Sequence, residues 1–150
     1  MKVYQIDYSR LNLWSHTDLA YIQHEKSLDP FMAYPAEMAA FEELISNRKE
    51  FPLDRGLLLN VLKKQYEKLG IALPVADGVI IDPNTFTVTT AHQPTLFTGP
   101  LYHIYKIAST IHLSREINST YPGVTVLPVF VIGGEDHDWE EVNHFHLFGR

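Results

Sequence analysis

Cysteine is absent from the 150 residues, which excludes disulfides and thiolate metal sites. No stretch is long and apolar enough to span a bilayer, which takes about 20 residues. The N-terminal Met1-Lys2-Val3-Tyr4-Gln5-Ile6-Asp7 lacks the apolar core of a signal peptide. Basic residues are in short supply: 12 Lys and Arg stand against 18 Asp and Glu, a net charge of -6. A surface that coats nucleic acid needs the opposite balance. Nucleic acid and membrane are therefore not expected as partners, whereas a small phosphate ligand needs only favourable local charge. These absences suit a cytoplasmic protein. The 45% apolar and 20% charged fractions are ordinary globular values, and the length suffices for one domain with a core. Internal repeats and low-complexity tracts are also missing.

The first 78 residues read as mainly helical. Val3 to Tyr8 has the makings of a short strand. Ser15 or Thr17 caps a helix carrying Leu19 and Ile22. Pro30 and Pro35 break the chain, and a helix from about 36 to 47 follows. Asp54 caps another, with Leu57, Leu58, Val61, Leu62, Tyr66 and Leu69 as its apolar stripe and Gly70 as its stop. The plain expectation is that these helices pad one face of a sheet, with His16 and His24 as surface or satisfied histidines.

From residue 79 to 150 the character becomes α/β. Val79-Ile80-Ile81 predicts a short strand and Asp82-Pro83-Asn84 a turn. Phe86 to Thr90 is β-branched and aromatic, as a buried strand should be. Thr98-Gly99-Pro100 signals a helix start. Leu101, Ile104, Ala108 and Ile111 then recur at helical spacing to about Asn118. Val124 to Ile132 is almost wholly apolar, as a strand buried on both faces should be. Pro128 within it suggests a regular ladder beginning after the proline. Strand, helix and strand make a βαβ unit, and such sheets bind ligands at the carboxyl ends of their strands.

Both chemically rich stretches fall at that end. The first is His92-Gln93-Pro94, leading to a helix N-terminus at Gly99-Pro100. Unpaired N–H groups and the helix dipole make it a ready anion site, with His103 and Lys106 adding polar side chains. Tyr102 and Tyr105 read as packing residues and His112 as a surface position. The second runs from Glu135 to His146, where Glu135, Asp136, His137, Asp138, Glu140, Glu141, His144 and His146 put eight ionisable groups in twelve residues. A polar substrate site is the first reading, a divalent metal site the second, and a dipole-offsetting helix N-terminus the third. Alternation from Val142 to Phe148 puts His144 and His146 on one side of a strand. The His-Glu-x-x-His spacing of zinc helices is missing, and no metal is assigned.

These stretches together carry a resemblance. His92-Gln93-Pro94-Thr95-Leu96-Phe97-Thr98-Gly99-Pro100-Leu101-Tyr102-His103-Ile104-Tyr105-Lys106, followed downstream by Pro128-Val129-Phe130 and Glu135-Asp136-His137-Asp138-Trp139-Glu140-Glu141-Val142-Asn143-His144, resembles the bacillithiol biosynthesis cysteine-adding enzyme family. The likeness covers about residues 85–148. The chain departs from the family pattern at Ala91, where glycine is usual, and at Gly133-Gly134.

The resemblance implies a Rossmann-like parallel sheet with flanking helices. It implies a ligase that joins cysteine to glucosaminyl malate, and a chain that is the N-terminal part of a longer enzyme. An amide made from a carboxylate requires activation, most simply by ATP. His92, Gln93, Gly99, Pro100 and Lys106 are the expected nucleotide-side residues. Asp136, His137 and Asp138, with His103, are the expected catalytic ones, orienting the amine or accepting its proton. His103 also invites comparison with the histidine signature of adenylate-forming synthetases. A strand over 143–148 would expose an apolar edge, so a homo-oligomer is expected. Two other readings stand beside this one: a non-catalytic Rossmann-like module binding a nucleotide or partner, and a metal-dependent hydrolase using the Glu135–His146 cluster.

Overall fold

The computed structural model describes residues 4–135, 139–146 and 148. The chain divides into two compact units, Met1–Leu44 and Ile45–Arg150.

In the first unit, helix α1 (His16–Ile22) is started by Ser15. Its hydroxyl accepts from the Asp18 N–H, and the Asp18 carboxylate accepts from the Ser15 N–H, a reciprocal capping box. These bonds hold the Asp18 carboxyl below its ordinary range, the Ser15 hydroxyl first and its N–H second. Ala20 is the buried residue of α1. The strand expected from Val3 to Tyr8 does not form among the described residues. Tyr4 to Asp7 has no regular structure, and Tyr8–Arg10 is a 3-10 turn whose Ser9 N–H bonds the Asp7 carboxylate. A lone β-prone segment gains nothing without a neighbouring ladder.

Helix α2 (Ala40–Lys49) starts later than expected. Glu42 and Glu43 occupy its first turn, Arg48 and Lys49 its last, each complementing the dipole.

In the second unit, Asp54 caps helix α3 (Arg55–Lys68) by accepting from the Leu57 N–H at 2.8 Å, and Gly70 follows with a left-handed φ of 67°. The apolar stripe of α3 stays largely exposed, Leu57 at 61%, so padding of the sheet by this stripe is not what forms. Arg55 makes the link instead: its guanidinium donates to the carbonyls of Ile80, Pro83 and Thr85.

Val79-Ile80-Ile81 is not a strand but part of helix α4 (Asp77–Ile81), which buries Ile80. Asp77, in the first turn, pairs with Lys63 of α3. Three consecutive apolar residues fit either structure, and burial of one side chain beside α3 decides for the helix.

Strands β1 (Thr85–His92) and β2 (Thr125–Ile132) pair in parallel, Thr85 opposite Thr125 through His92 opposite Ile132. Helix α5 (Leu101–Thr120) connects them and packs on both. Its sheet-facing residues are Thr110, Ser114 and Ile117, spaced four and three apart as one helical face requires. Ser114 donates to the Val126 carbonyl at 2.6 Å. Asn118 acts as a peptide would: its amide donates to the Val126 carbonyl and its oxygen accepts from the Val126 N–H.

Pro128 lies inside the ladder, opposite Val88, so pairing does not wait for residue 129. The Thr125 N–H reaches Asn84 and the Gly133 N–H reaches His92. Odd-numbered residues of β2 therefore present their N–H to β1, and the nitrogen of Pro128 faces the other way. The missing donor costs the pair nothing.

Candidate active site at the carboxyl end of the sheet

Because the strands are parallel, His92 and Ile132 end at the same edge of the sheet. The bond from the Gly133 N–H to the His92 carbonyl, 2.9 Å long, starts both polar loops from one rung.

The loop from Gln93 to Pro100 is sharply bent. Leu96–Thr98 is a 3-10 turn, and Phe97, Thr98 and Gly99 have φ of 48°, 72° and 67°. Two non-glycine residues in the left-handed region are strained. The Phe97 ring meets Phe145 edge-on, centroids 5.1 Å apart. A Cβ on Gly99 would lie 2.7 Å from the Thr95 hydroxyl and 2.9 Å from its Cβ, so only glycine fits. Pro100 is the N-cap of α5 rather than its first helical residue, and no side chain caps the helix. The first-turn N–H groups have no capping side chain as acceptor, as an anion site requires.

The first turns of α5 deliver the polar groups. Nε2 of His92 lies 2.7 Å from the Tyr102 hydroxyl, and Nδ1 lies 2.9 Å from the Gln93 carbonyl. The His103 ring stands between His92, centroids 4.8 Å apart, and Phe130, on which it stacks at 5.0 Å. Nδ1 of His103 is 3.4 Å from the Thr95 hydroxyl. Lys106 donates to the Ala91 carbonyl at 2.6 Å. That bond uses one of the three ammonium protons.

A cleft of about 580 Å³ opens beside this array. Ile104, Ile107 and Ile111 form one wall, Phe130 and Ile132 another, and Gln93, Thr95, Thr98 and His103 supply its polar groups. An apolar cleft with a few convergent polar side chains is the usual form of a small-molecule site. The apolar stripe read from the sequence of α5 thus lines the cleft in part, while Thr110, Ser114 and Ile117 take the sheet. A second cleft of about 590 Å³ lies between α3 and the segment before α4, lined by Lys63, Tyr66 and Asp77, and holds none of the expected site residues.

The structure brings His92, Gln93, Gly99, Pro100, His103 and Lys106 to one end of the βαβ unit. Glu135 follows Gly134 and is exposed. Asp136, His137 and Asp138 lie outside the described residues. The strand expected over 142–148 is absent among the described residues: helix α6 (Trp139–Val142) is followed by Asn143 in a bend and by His144 to His146 without regular structure. His144 and His146 do meet, ring centroids 5.3 Å apart. Among the described residues, no three His, Asp or Glu side chains are grouped as a metal would need.

Sequence reading missed Tyr102, Thr95 and Phe130. Tyr102 is not a packing residue, being 53% exposed and bonded to His92. The available signal was its place in the first helical turn, where an amphipathic ring presents its polar tip. His112 is on the surface as expected, 3.3 Å from Glu116.

A parallel βαβ unit with its polar side chains gathered at the carboxyl ends of the strands defines a Rossmann-like α/β protein. The family model described as bacillithiol biosynthesis BshC, N-terminal Rossmann-like domain, matches residues 1–150, and the chain belongs to that family. Curated relatives carry the name "Putative cysteine ligase BshC". That of Flavobacterium psychrophilum is 35% identical over 150 residues, 97% of this chain and 28% of the relative. That of Christiangramia forsetii is 37% identical over 150 residues, again 97% and 28%. That of Flavobacterium johnsoniae is 46% identical over 99 residues, 65% of this chain and 19% of the relative. The chain thus spans 28% of the length of the first of these relatives.

Proposed function

We propose that the protein belongs to a cytoplasmic cysteine ligase of bacillithiol biosynthesis, which joins cysteine to glucosaminyl malate after ATP-dependent activation of the carboxylate. The family match over residues 1–150 carries this reading, and the cleft beside the N-terminus of α5 supports it. ATP fits the uncapped helix start: the backbone around Gly99 and Pro100 would hold phosphate, Lys106 would add charge-assisted bonds, and His92 and Gln93 would line the nucleotide side. When bound, ATP supplies the activation that a carboxylate lacks. Within the site, His103 is held by Phe130 and Thr95 toward the cleft. Asp136, His137 and Asp138 orient the amine.

The test uses the complete enzyme with cysteine, glucosaminyl malate and ATP. Product formation is expected, and stabilisation by ATP or ADP in a thermal-shift assay, about 2.7 kcal/mol at a hundred times the dissociation constant. His137→Ala and Asp138→Ala should lower turnover far more than thermal stability. Stabilisation by nucleotide without ligation would favour a binding module. The meeting of His144 and His146 keeps a metal-dependent hydrolase as the second reading, and selective stabilisation by zinc or manganese would favour it.

A further inference from the structure

The two clefts of the second unit are of similar size, and their linings differ in charge. The cleft between α3 and the segment before α4 has Lys63, Glu67 and Asp77 in its wall. Among the described residues, the cleft beside α5 is lined by no carboxylate and by no Lys or Arg. Ile104, Ile107 and Ile111 recur three and four residues apart, so they stand on one stripe of α5. Phe130 and Ile132 of β2 supply the other wall. The polar groups, Gln93, Thr95, Thr98 and His103, all come from the loop before α5 or from its first turn. The apolar walls are wet: Ile104 is 50% and Ile132 67% exposed. A ligand that covers them gains by removing apolar surface from water. A charged group placed there would lose its hydration without a partner.

Resting on the ATP-dependent ligase reading above, we propose that this cleft holds the adenine and ribose of the nucleotide, with the phosphates outside it at the start of α5. Chemistry separates the three reactants of that reading. Glucosaminyl malate carries hydroxyls and carboxylates over its whole length, and cysteine is a zwitterion with one small apolar tip. Only the purine is broad, flat, uncharged and weakly polar. A volume of about 580 Å³ is ample for a nucleoside and ordinary for a small-molecule site. The length agrees as well. From Leu101 to Ile111 the helix rises about 15 Å, comparable to an extended nucleotide from phosphate to base. The base lies among Ile107, Ile111 and Phe130, and the ribose beside Thr95 and His103. Nδ1 of His103 faces the Thr95 hydroxyl at 3.4 Å, which leaves Nε2 as the ring nitrogen for a ribose hydroxyl. The two polar reactants gain nothing from such a cleft, so they meet the nucleotide only at its phosphate end.

Calorimetry on the complete enzyme tests the pocket with adenosine, which has the base and ribose but no phosphate. Saturable binding is expected. Ala108 lines the cleft and is exposed, so Ala108→Phe fills the space without disturbing the sheet. It should weaken adenosine binding by about tenfold to a hundredfold, the usual scale for a misfitting apolar pocket, at an unchanged melting temperature. Binding of inorganic triphosphate should not change. Should Ala108→Phe lower the melting temperature, nuclear Overhauser effects in the methyl-labelled wild-type enzyme decide instead. The adenine protons should then contact the methyl groups of Ile107 and Ile111. No saturable adenosine binding, an affinity unchanged in a stable Ala108→Phe enzyme, or adenine contacts elsewhere overturns the proposal, even if the enzyme forms product with ATP. An enzyme that binds adenosine in this cleft but forms no product loses the ligase reading and keeps the pocket.

Discussion

Gly99 ties the backbone of the site loop to its side chains. Its φ of 67° and ψ of -165° lie where side chains are strongly disfavoured. A methyl group there would press on Thr95, whose hydroxyl lies beside His103. Gly99→Ala should therefore cost about 1–3 kcal/mol, read by urea denaturation, and should displace His103, read from its ring NMR signals. The helix start at Gly99-Pro100 was legible in the sequence. The left-handed Phe97 and Thr98 were not, because nothing in a phenylalanine or threonine announces a strained backbone. The Tyr102–His92 bond was illegible for another reason: it joins a strand end to a helix start ten residues on, and loop geometry alone decides whether they meet.

At the level of elements, β1, α5 and β2 were legible because each is long, α5 with apolar residues at helical spacing and β2 with a nearly unbroken apolar run. Pro128, Val131 and Ile132 are nevertheless exposed, and β2 is not buried on both faces. Helix α4 was not, since burial of Ile80 beside α3 overrides the β preference of a three-residue run. The strand over 142–148 was misread because alternation specifies a strand only where a partner edge exists. Nor did the sequence reveal which face of α5 meets the sheet, for Thr110 and Ser114 are polar. The edge of β2 offers a direct test. Asn118→Ala strips the Val126 N–H of its partner and leaves the carbonyl to Ser114 alone, at an expected cost of about 1–3 kcal/mol in urea denaturation. Asn118→Asp should not restore stability at neutral pH, because a carboxylate accepts but cannot donate to the Val126 carbonyl. Helix α1 carries a pH test. The Asp18 carboxyl is lowered by Ser15, so its contribution is full above the ordinary carboxylate range and disappears as pH falls through the folded-state value. Protection of the first-turn amides of α1, measured against their intrinsic exchange rates, should fall in acid below that range, and Asp18→Asn should abolish that fall.

For the whole chain, exposed apolar surface dominates. Leu57, Val61, Leu101, Tyr105 and Ile132 are all exposed, and the sheet has two strands among the described residues. The outer edge of β1 is covered at Thr85 by Arg55 and at Ala91 by Lys106, with Thr87 and Thr89 between them. Open edges and apolar patches tend to find partners. The 150-residue chain should self-associate, giving a concentration-dependent mass by size-exclusion chromatography with light scattering. On the proposed ligase reading, it should also bind ATP more weakly than a full-length enzyme, since doubly wound sites take walls from both halves of the sheet. A monomer at all concentrations, or equal nucleotide affinity, would contradict these expectations.

The shared rung at His92 and Gly133 has a consequence for observation. One amide, that of Gly133, is the common root of both polar loops. A ligand that engages either loop tightens or loosens the same hydrogen bond. The exchange rate of that single proton is then a local gauge of occupancy, readable without knowing which loop the ligand touches or what chemistry follows.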